Sequence, residues 1–324
     1  MNIPVAHSLE PPRISASSFL ADARAGLCRA GQKSLPPKYL YDELGSLLFE
    51  AITRLHEYGV WRAERRLLEA HAATIAASSS SGLVVELGSG SAQKTRPVLE
   101  SLLQRGRVTY RPVEISWAAL DAATRALADL GRLDIQPVAA EYISGLDEAL
   151  RNRTRDVPAL VLFLGSSLGN FDPLASVRFL HGIRRRLLPG DAFLLGTDLE
   201  KPEAQLVAAY DDPLGVTAAF DLNLLVRMNR ELGANFRLPQ FRHRVRFDAA
   251  RRNVEMHIES LCEQSVRIGD FGVTFRAGET IHTENSHKFT LGELDGLLRG
   301  SGFRRVHQWR DESWRFATTL CTVD

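Results

Sequence analysis

The chain has 324 residues, 44% hydrophobic and 24% charged, with a formal net charge of +1. These values are typical of a soluble globular protein with one large domain or two closely joined ones, and the balanced charge argues against a nucleic-acid partner. Cys28, Cys262 and Cys321 are odd in number and widely spaced, which argues against a disulfide framework and against a Cys-based zinc site and favours a reducing cytoplasm.

The N-terminal part of the chain is predicted to be helical. Residues 1–12 are polar and carry prolines, so we expect a flexible arm without a signal peptide, and no apolar run in the chain is long enough to cross a membrane. Residues 13–62 show helical patterns broken at Gly31 and at Pro36-Pro37, and a further helix is expected over 63–77.

The segment Leu83–Thr95 has the sequence LVVELGSGSAQKT. A buried strand, a tight turn at Gly88 and Gly90 and a helix start are predicted here. Ligands of open α/β sheets bind at such turns, and glycine lets the backbone approach them closely. The acidic Glu86 in the strand and the presence of only two glycines favour S-adenosylmethionine over a dinucleotide, although a plain structural turn is the alternative.

Strands and helices then alternate, which predicts a parallel, doubly wound sheet. The predicted strands of this part are 108–115, 136–140, 159–164 and 192–196, and its helices are one that ends at Leu127 and one over 177–188. After Asp198 the pattern changes to helices over 201–236 and alternating, strand-like stretches over 241–282. A helix over 291–299 and strands near Val306 and Thr318 could return to the first sheet.

Polar residues follow several of these strands. Glu114 ends the second strand, where an acidic residue can accept both hydroxyls of a ribose, and Glu141-Tyr142 follows the third strand, where an adenine edge would lie. Gly165 to Asn170 form a polar floor after the fourth strand; the alternative is that Asn170 or Asp172 caps a helix. A metal site at His282, Glu284 and His287 is not expected, because the spacing is not that of known zinc motifs.

Taken together, the motifs resemble the L-histidine Nα-methyltransferases of ergothioneine biosynthesis. The resemblance runs from about residue 35 to the C-terminus and is carried by KYLYDELGSLLFEAITRLHEY, LVVELGSGSAQKT, FLGSSLGNF, LLGTDLEKP, AAYDDPLGVTAAF, NRELGANF and TENSHKF. It implies a Rossmann-like class I methyltransferase sheet with a second α+β domain that binds the substrate. It also implies three transfers of methyl from S-adenosylmethionine to the α-amino group of histidine, giving hercynine.

The resemblance also implies roles for single residues. Cofactor-binding roles fall to Gly88, Gly90, Lys94, Glu114, Glu141 and Tyr142, although the family commonly has Asp in place of Glu114 and Asp-Phe in place of Glu141-Tyr142. Tyr58, Asn170 and Tyr210 match the residues that hold the substrate's amino and carboxylate groups, and Tyr41 and Gly165 match groups beside the amine. Glu284 and Ser286 match the pair that binds the imidazole, and Met256 matches a residue that lines its pocket.

One segment departs from the family. Where the family often has a second Tyr followed by Pro-Thr, this chain has Gly59-Val60-Trp61 beside the substrate. We therefore keep two alternatives: an N-methyltransferase of another amino acid, such as an indole-bearing one, and a catalytically silent cofactor-binding protein. The expected organisation is a monomer with a substrate-binding domain of residues 13–62 and 201–288 and a cofactor-binding domain of residues 63–200 and 289–324.

Overall fold

The computed structural model describes residues 16–79, 81–154 and 156–323. The predicted flexible arm, residues 1–12, lies outside them. The helices are α1 Ala16–Leu27, α2 Glu43–Ile52, α3 Val60–Ser79, α4 Arg96–Leu103, α5 Trp117–Ala126, α6 Tyr142–Leu150, α7 Pro173–Arg184, α8 Glu203–Tyr210, α9 Val216–Leu232 and α10 Leu291–Gly300. The strands are β1 Lys33–Ser34, β2 Leu83–Leu87, β3 Val108–Glu114, β4 Leu133–Ile135, β5 Val138–Ala139, β6 Ala159–Phe163, β7 Ala192–Asp198, β8 Phe241–Asp248, β9 Asn253–Ser260, β10 Gln264–Ile268, β11 Phe271–Phe275, β12 Thr280–His287, β13 Arg304–Asp311 and β14 Phe316–Thr322.

The main sheet has eight strands, in the order β13-β14-β7-β6-β2-β3-β4, with β5 also paired to β3. Strands β2 to β7 pair in parallel, and β14 is inserted antiparallel beside β7. β2, β6 and β7 are buried along their whole length, as strands covered on both faces must be. The structure therefore confirms the predicted Rossmann-like class I methyltransferase fold, including the return of the C-terminal strands to this sheet.

A second, mostly antiparallel sheet has the order β1-β12-β9-β8. Helices α1, α2, α8 and α9 and the hairpin β10–β11 share a hydrophobic core with it. This core also takes in the first half of α3, whereas the second half of α3 packs in a core of the main sheet. Helix α3 therefore connects the two parts of the molecule.

Several predicted boundaries were wrong. The third strand, predicted over 136–140, consists of two short pieces, β4 and β5, because Gln136 and Pro137 lie between them without continuing the ladder. Helix α7 begins at Pro173, four residues before the predicted start, since the Asp172 carboxylate accepts a hydrogen bond from the Ala175 N–H and caps it. No helix in the described part of the chain combines the length and apolarity needed to span a bilayer.

Candidate active site

Two adjoining cavities lie at the carboxyl edge of the main sheet. A cleft of about 720 Å³ follows the carboxyl edge of the parallel strands, and a smaller chamber of about 50 Å³ lies beside it. Their shared walls are formed by Tyr41, Phe49, Tyr58, Gly165, Ser167 and Asn170. The two cavities therefore adjoin at these residues, and a molecule bound in the cleft would lie next to a molecule bound in the chamber.

The large cleft contains the whole set of predicted cofactor residues. They are Gly88, Gly90, Lys94, Glu114, Glu141 and Tyr142. Each lies at or just after the carboxyl end of a strand of the main sheet, where parallel topology brings separate loops together.

The turn after β2 exposes its backbone to the cleft. Gly88 and Gly90 have φ values of +74° and +51°, in the left-handed region that favours glycine. The Gly88 N–H donates to the Val113 carbonyl at 2.8 Å and ties the turn to β3. A Cβ at Gly88 would lie 3.2 Å from the Tyr142 ring, so this glycine keeps the space between turn and ring open.

The end of β3 presents a carboxylate to the same space. The half-buried Glu114 accepts hydrogen bonds from the N–H groups of Ile115 at 2.8 Å and of Gly90 at 3.4 Å. Burial raises the pKa of Glu114 above its usual value, and these backbone bonds oppose that rise. Both carboxylate oxygens keep acceptor capacity, as binding of two vicinal hydroxyls would require.

Glu141 and Tyr142 occupy different depths of the cleft. Tyr142 packs edge-on against Phe163 and Phe179, with ring centroids 5.2 and 5.8 Å away, and forms part of an apolar wall. Glu141 is exposed at the rim, where its carboxylate pairs with the Lys38 ammonium at 3.1 Å.

Glu64 is a further residue of this site that was not predicted from the sequence. Its side chain is fully buried, pairs with Lys94, and accepts from the Gly165 N–H with both oxygens at 2.9 Å. It therefore fixes one predicted cofactor residue and one predicted substrate residue at once. In the sequence, Glu64 lies in the charged run AERR, which resembles a solvated helix face.

The small chamber contains every predicted substrate and catalytic residue. They are Tyr41, Tyr58, Gly165, Asn170, Tyr210, Met256, Glu284 and Ser286. They come from six separate segments of the chain, and β12 supplies Glu284 and Ser286 from alternate positions that share one face of the strand.

Two backbone features bring Glu284 into the chamber. The register of β12 against β9 shifts between His282 and Glu284, so that Glu284 lies opposite Met256. The turn at Gly169 approaches β12 so closely that a Cβ there would lie 2.7 Å from the His287 carbonyl oxygen. As a result the Asn170 amide donates to the Glu284 carboxylate at 3.0 Å.

Glu284 is an unusual carboxylate. Burial, with a contribution from Asp221, raises its pKa to about 8, while Lys288 and a hydrogen bond from Tyr41 oppose the rise. A group with this pKa changes between acceptor and donor near neutral pH, which suits it to pair with an imidazole.

Ser286 is part of a buried polar cluster. The Tyr210 and Ser286 hydroxyl oxygens lie 2.6 Å apart, and the Lys288 ammonium donates to both, at 2.8 and 2.7 Å. Lys288 is fully buried and pairs with Asp198 at 3.0 Å. Neither Lys288 nor Asp198 was assigned a role from the sequence, although both lie inside the quoted motifs TENSHKF and LLGTDLEKP.

Aromatic rings form the wall between the cavities. Tyr41, Phe49, Tyr58 and Tyr210 follow one another edge-on, with centroid separations of 5.6, 6.3 and 6.1 Å. Burial raises the pKa of each of the three tyrosines well above its usual value, so they stay protonated at neutral pH.

The departure at Gly59 has a structural reason. A Cβ at this position would lie 2.1 Å from the Trp314 indole, so the indole fills the space that a larger side chain would need. Within the described ranges, no group of three or more His, Cys, Asp and Glu side chains could hold a metal ion.

Comparisons with known proteins agree with this geometry. The model of the family "Histidine-specific methyltransferase, SAM-dependent" matches residues 19–323. The histidine N-alpha-methyltransferase of Mycobacterium tuberculosis is 40% identical over 303 residues, covering 92% of this chain and 93% of that protein. That of Mycolicibacterium smegmatis is 39% identical over 314 residues, covering 94% and 95%. An L-tryptophan methyltransferase of Psilocybe serbica is 27% identical over 320 residues, covering 88% and 87%. On these findings, the chain belongs to the family of histidine-specific, S-adenosylmethionine-dependent methyltransferases.

Proposed function

We propose that this protein transfers three methyl groups in succession from S-adenosylmethionine to the α-amino group of L-histidine, giving hercynine. The observation that carries the proposal is the small chamber beside the cofactor cleft, with Glu284 and Ser286 as its polar end. An imidazole has two ring nitrogens, and this end offers two hydrogen-bonding groups. An apolar side chain in the same place would leave both groups desolvated and unpaired.

The residues of the large cleft fit S-adenosylmethionine. Glu114 offers two acceptor oxygens for the ribose hydroxyls, the Gly88 turn offers open backbone, and Lys94 offers a cation for the carboxylate of the methionine end. When bound, the cofactor supplies an electrophilic methyl group.

The tyrosines can position the amine without acting as charged bases. The reaction needs a neutral amine in line with the methyl group, so most of the lowering of the barrier comes from positioning. Tyr41 and Tyr58 stand on the wall shared with the cleft, and their neutral hydroxyls can orient the amine and pass its proton toward water. Asn170 and Tyr210 bind the amino and carboxylate groups in this proposal.

The aromatic wall suits the final product. Each methyl transfer makes the nitrogen bulkier, and the third leaves a permanent cation that cannot donate a hydrogen bond. Faces of Tyr41, Phe49, Tyr58 and Phe220 border the chamber and attract such a cation through their ring quadrupoles.

The test is a time course with methyl-deuterated S-adenosylmethionine and histidine, followed by mass spectrometry. We expect mono- and dimethylhistidine to appear first and a trimethylated species to accumulate, with all label on the α-nitrogen by fragmentation. Accumulation of monomethylhistidine alone, or label on the imidazole, would contradict the proposal.

The second candidate is N-methylation of an indole-bearing amino acid, favoured by the likeness to the tryptophan methyltransferase and by the altered loop at Gly59. Two observations weigh against it. An indole has one ring N–H, which cannot satisfy both Glu284 and Ser286. It is also larger than imidazole, and the chamber is small.

We also propose that the chain acts as a monomer in the cytoplasm, with residues 13–62 and 201–288 as the substrate-binding domain and 63–200 and 289–324 as the cofactor-binding domain. One core of the main sheet comes entirely from the cofactor-binding part. The core of the second sheet comes mainly from the substrate-binding part, with Ala63, Leu67, Trp314 and Phe316 added from the other part. The residues of a single chain build both cavities. The three cysteines are unpaired, as expected in a reducing compartment.

A further inference from the structure

A buried carboxylate below the chamber binds two lysines. Asp198, at the end of β7, pairs with Lys288 at 3.0 Å through one oxygen and with Lys201 through the other. The side chains of both lysines are fully buried. Burial lowers the pKa of both lysines, to about 8 for Lys201, whereas the Asp198 carboxylate favours their charged forms.

The two lysines differ in what else they contact. Lys201 donates to the Leu199 carbonyl at 2.9 Å and lies 4.9 Å from the centroid of the Trp314 ring, away from the chamber residues. Lys288 donates to the hydroxyls of Tyr210 and Ser286, which both face the chamber. Lys288 therefore donates hydrogen bonds to Tyr210 and Ser286 and is ion-paired with Asp198. It does not line the chamber itself, so it acts on a ligand through those two hydroxyls.

The contacts of Lys288 limit the hydrogen bonds that the Tyr210 and Ser286 hydroxyls can offer to a ligand. Each hydroxyl has one proton and two lone pairs. Lys288 takes one lone pair on each, and the 2.6 Å bond between Tyr210 and Ser286 takes one proton and one further lone pair. What remains for a ligand is one O–H on one residue and one lone pair on the other. The two hydroxyls therefore cannot both donate or both accept.

We propose that Lys288 is a positioning residue for substrate specificity, which couples recognition of the amino-acid end of the substrate at Tyr210 to recognition of its ring at Ser286. The inference rests on the proposed histidine methylation. When Tyr210 donates to the substrate carboxylate, Ser286 is left as an acceptor and needs an N–H from the ring. An amino acid without a ring N–H leaves that lone pair desolvated and unsatisfied.

The test compares Lys288→Met with Lys201→Met. Each change removes one buried ammonium from Asp198 and leaves the other in place, so both should cost stability, but only Lys288→Met frees the chamber hydroxyls. The readouts are kcat and KM for histidine and for 3-(2-thienyl)alanine, which has no ring N–H, together with the dissociation constant of S-adenosylmethionine.

We expect Lys288→Met to lower kcat/KM for histidine about ten- to hundredfold, mainly through KM, and to shrink the preference for histidine over thienylalanine. Cofactor affinity should not change. Lys201→Met should keep the wild-type preference. If Lys288→Met and Lys201→Met show the same preference for histidine over thienylalanine, the proposed role of Lys288 is wrong. This holds whether both variants keep the preference or both lose it.

Failure of the proposed function can be distinguished from failure of the variants to fold. If the wild-type protein does not methylate histidine, the proposed function fails before Lys288 is tested. If the methionine variants do not fold, Lys288→Leu and Lys201→Leu replace them, since leucine also removes every N–H donor at each position. Equal histidine preference in that pair would overturn the inference in the same way.

Discussion

Two interior carboxylates, Glu86 and Glu284, are held by different kinds of partner. Glu86 accepts hydrogen bonds from the hydroxyls of Thr95, at 2.7 Å, and of Tyr110, so both of its oxygens are satisfied within the protein. Glu284 is bound by Asn170 and still faces the chamber. The first carboxylate therefore supports the glycine turn, and the second remains available to a ligand.

Replacement of Glu284 tests the imidazole assignment. We expect Glu284→Ala to lower kcat/KM for histidine by about a hundredfold, because one ring nitrogen loses its partner in a desolvated chamber. Glu284→Gln, which keeps the shape, should lose less. The dissociation constant of S-adenosylmethionine, measured by calorimetry, should not change in either variant. Full histidine activity in Glu284→Ala would show that the imidazole binds elsewhere.

Glu86 should make stability depend on pH. Burial raises its pKa to about 7, so between the ordinary value near 4.5 and about 7 the folded protein holds a proton that the unfolded chain has released. The free energy of unfolding therefore falls as the pH rises through this window, by at most about 1.4 kcal/mol per pH unit from this group. Denaturant unfolding at pH 5, 6, 7 and 8 should show a flatter profile for Glu86→Gln than for wild type. Parallel profiles would contradict the raised pKa.

At the level of single residues, the sequence identified the groups that line the cavities better than the groups that hold them in place. Glu284, Ser286, Tyr210 and Asn170 lie together in the chamber as expected from the resemblance. Glu64 could not be predicted, because its ion pair with Lys94 depends on how α3 packs across the sheet. A charged residue among arginines gives no sign of burial.

At the level of elements, the site depends on how closely two backbones approach. The turn at Gly169 touches β12, and β7 passes under the Glu64 carboxylate at Gly196, where a Cβ would lie 1.9 Å from that oxygen. One contact positions Asn170 against Glu284, and the other positions Glu64 against Lys94. Gly169 therefore acts on the chamber, whereas Gly196 acts through Glu64 on Lys94 in the cleft and on Gly165, which lines both cavities.

Substitution of these two glycines should affect the binding of histidine and of S-adenosylmethionine differently. Gly169→Ala should raise KM for histidine at least tenfold with little change in cofactor affinity, because the turn must move away from β12. Gly196→Ala should weaken binding of S-adenosylmethionine, because the Glu64 carboxylate must move. Gly292→Ala on α10, where a Cβ meets open space, is the matched control. Equal effects of Gly169→Ala and Gly196→Ala on both ligands would contradict the assignment.

Helices and strands could be predicted where the pattern of hydrophobic residues along the sequence was clear. The continuous apolar runs of β6 and β7 and the helix α10 were found close to their true positions. The division into β4 and β5 could not be predicted. Both strands are short, and each exists only because it pairs with β3, which is a tertiary contact. Likewise, β1 has two residues and exists only through its pairing with β12.

For the whole molecule, the large cleft at the edge of the main sheet implies that a bound ligand stabilises the fold. A ligand at a hundred times its dissociation constant adds about 2.7 kcal/mol to the free energy of unfolding. S-adenosylmethionine should therefore raise the melting temperature by several degrees in a thermal-shift assay. The dinucleotide NAD at the same concentration should cause no such shift. An equal shift with NAD would mean that the glycine turn binds a pyrophosphate.

The overall architecture followed from the alternation of strands and helices, but the way the second sheet meets the first did not. That junction depends on Gly169 against β12 and on Asp198 beneath Lys288, contacts between residues far apart in the chain. Spacing in a single sequence carries no information about such pairs. The resemblance named residues that lie together in the structure, without explaining what holds them there.

The central claim, that the chamber selects histidine, is tested most directly by competition. The purified protein is incubated with S-adenosylmethionine and an equimolar pool of the twenty amino acids, and the products are identified by mass spectrometry. The account predicts that histidine alone is consumed and that it gains three methyl groups. Methylation of tryptophan or another amino acid in preference to histidine, or binding of the cofactor with no product at all, would contradict it.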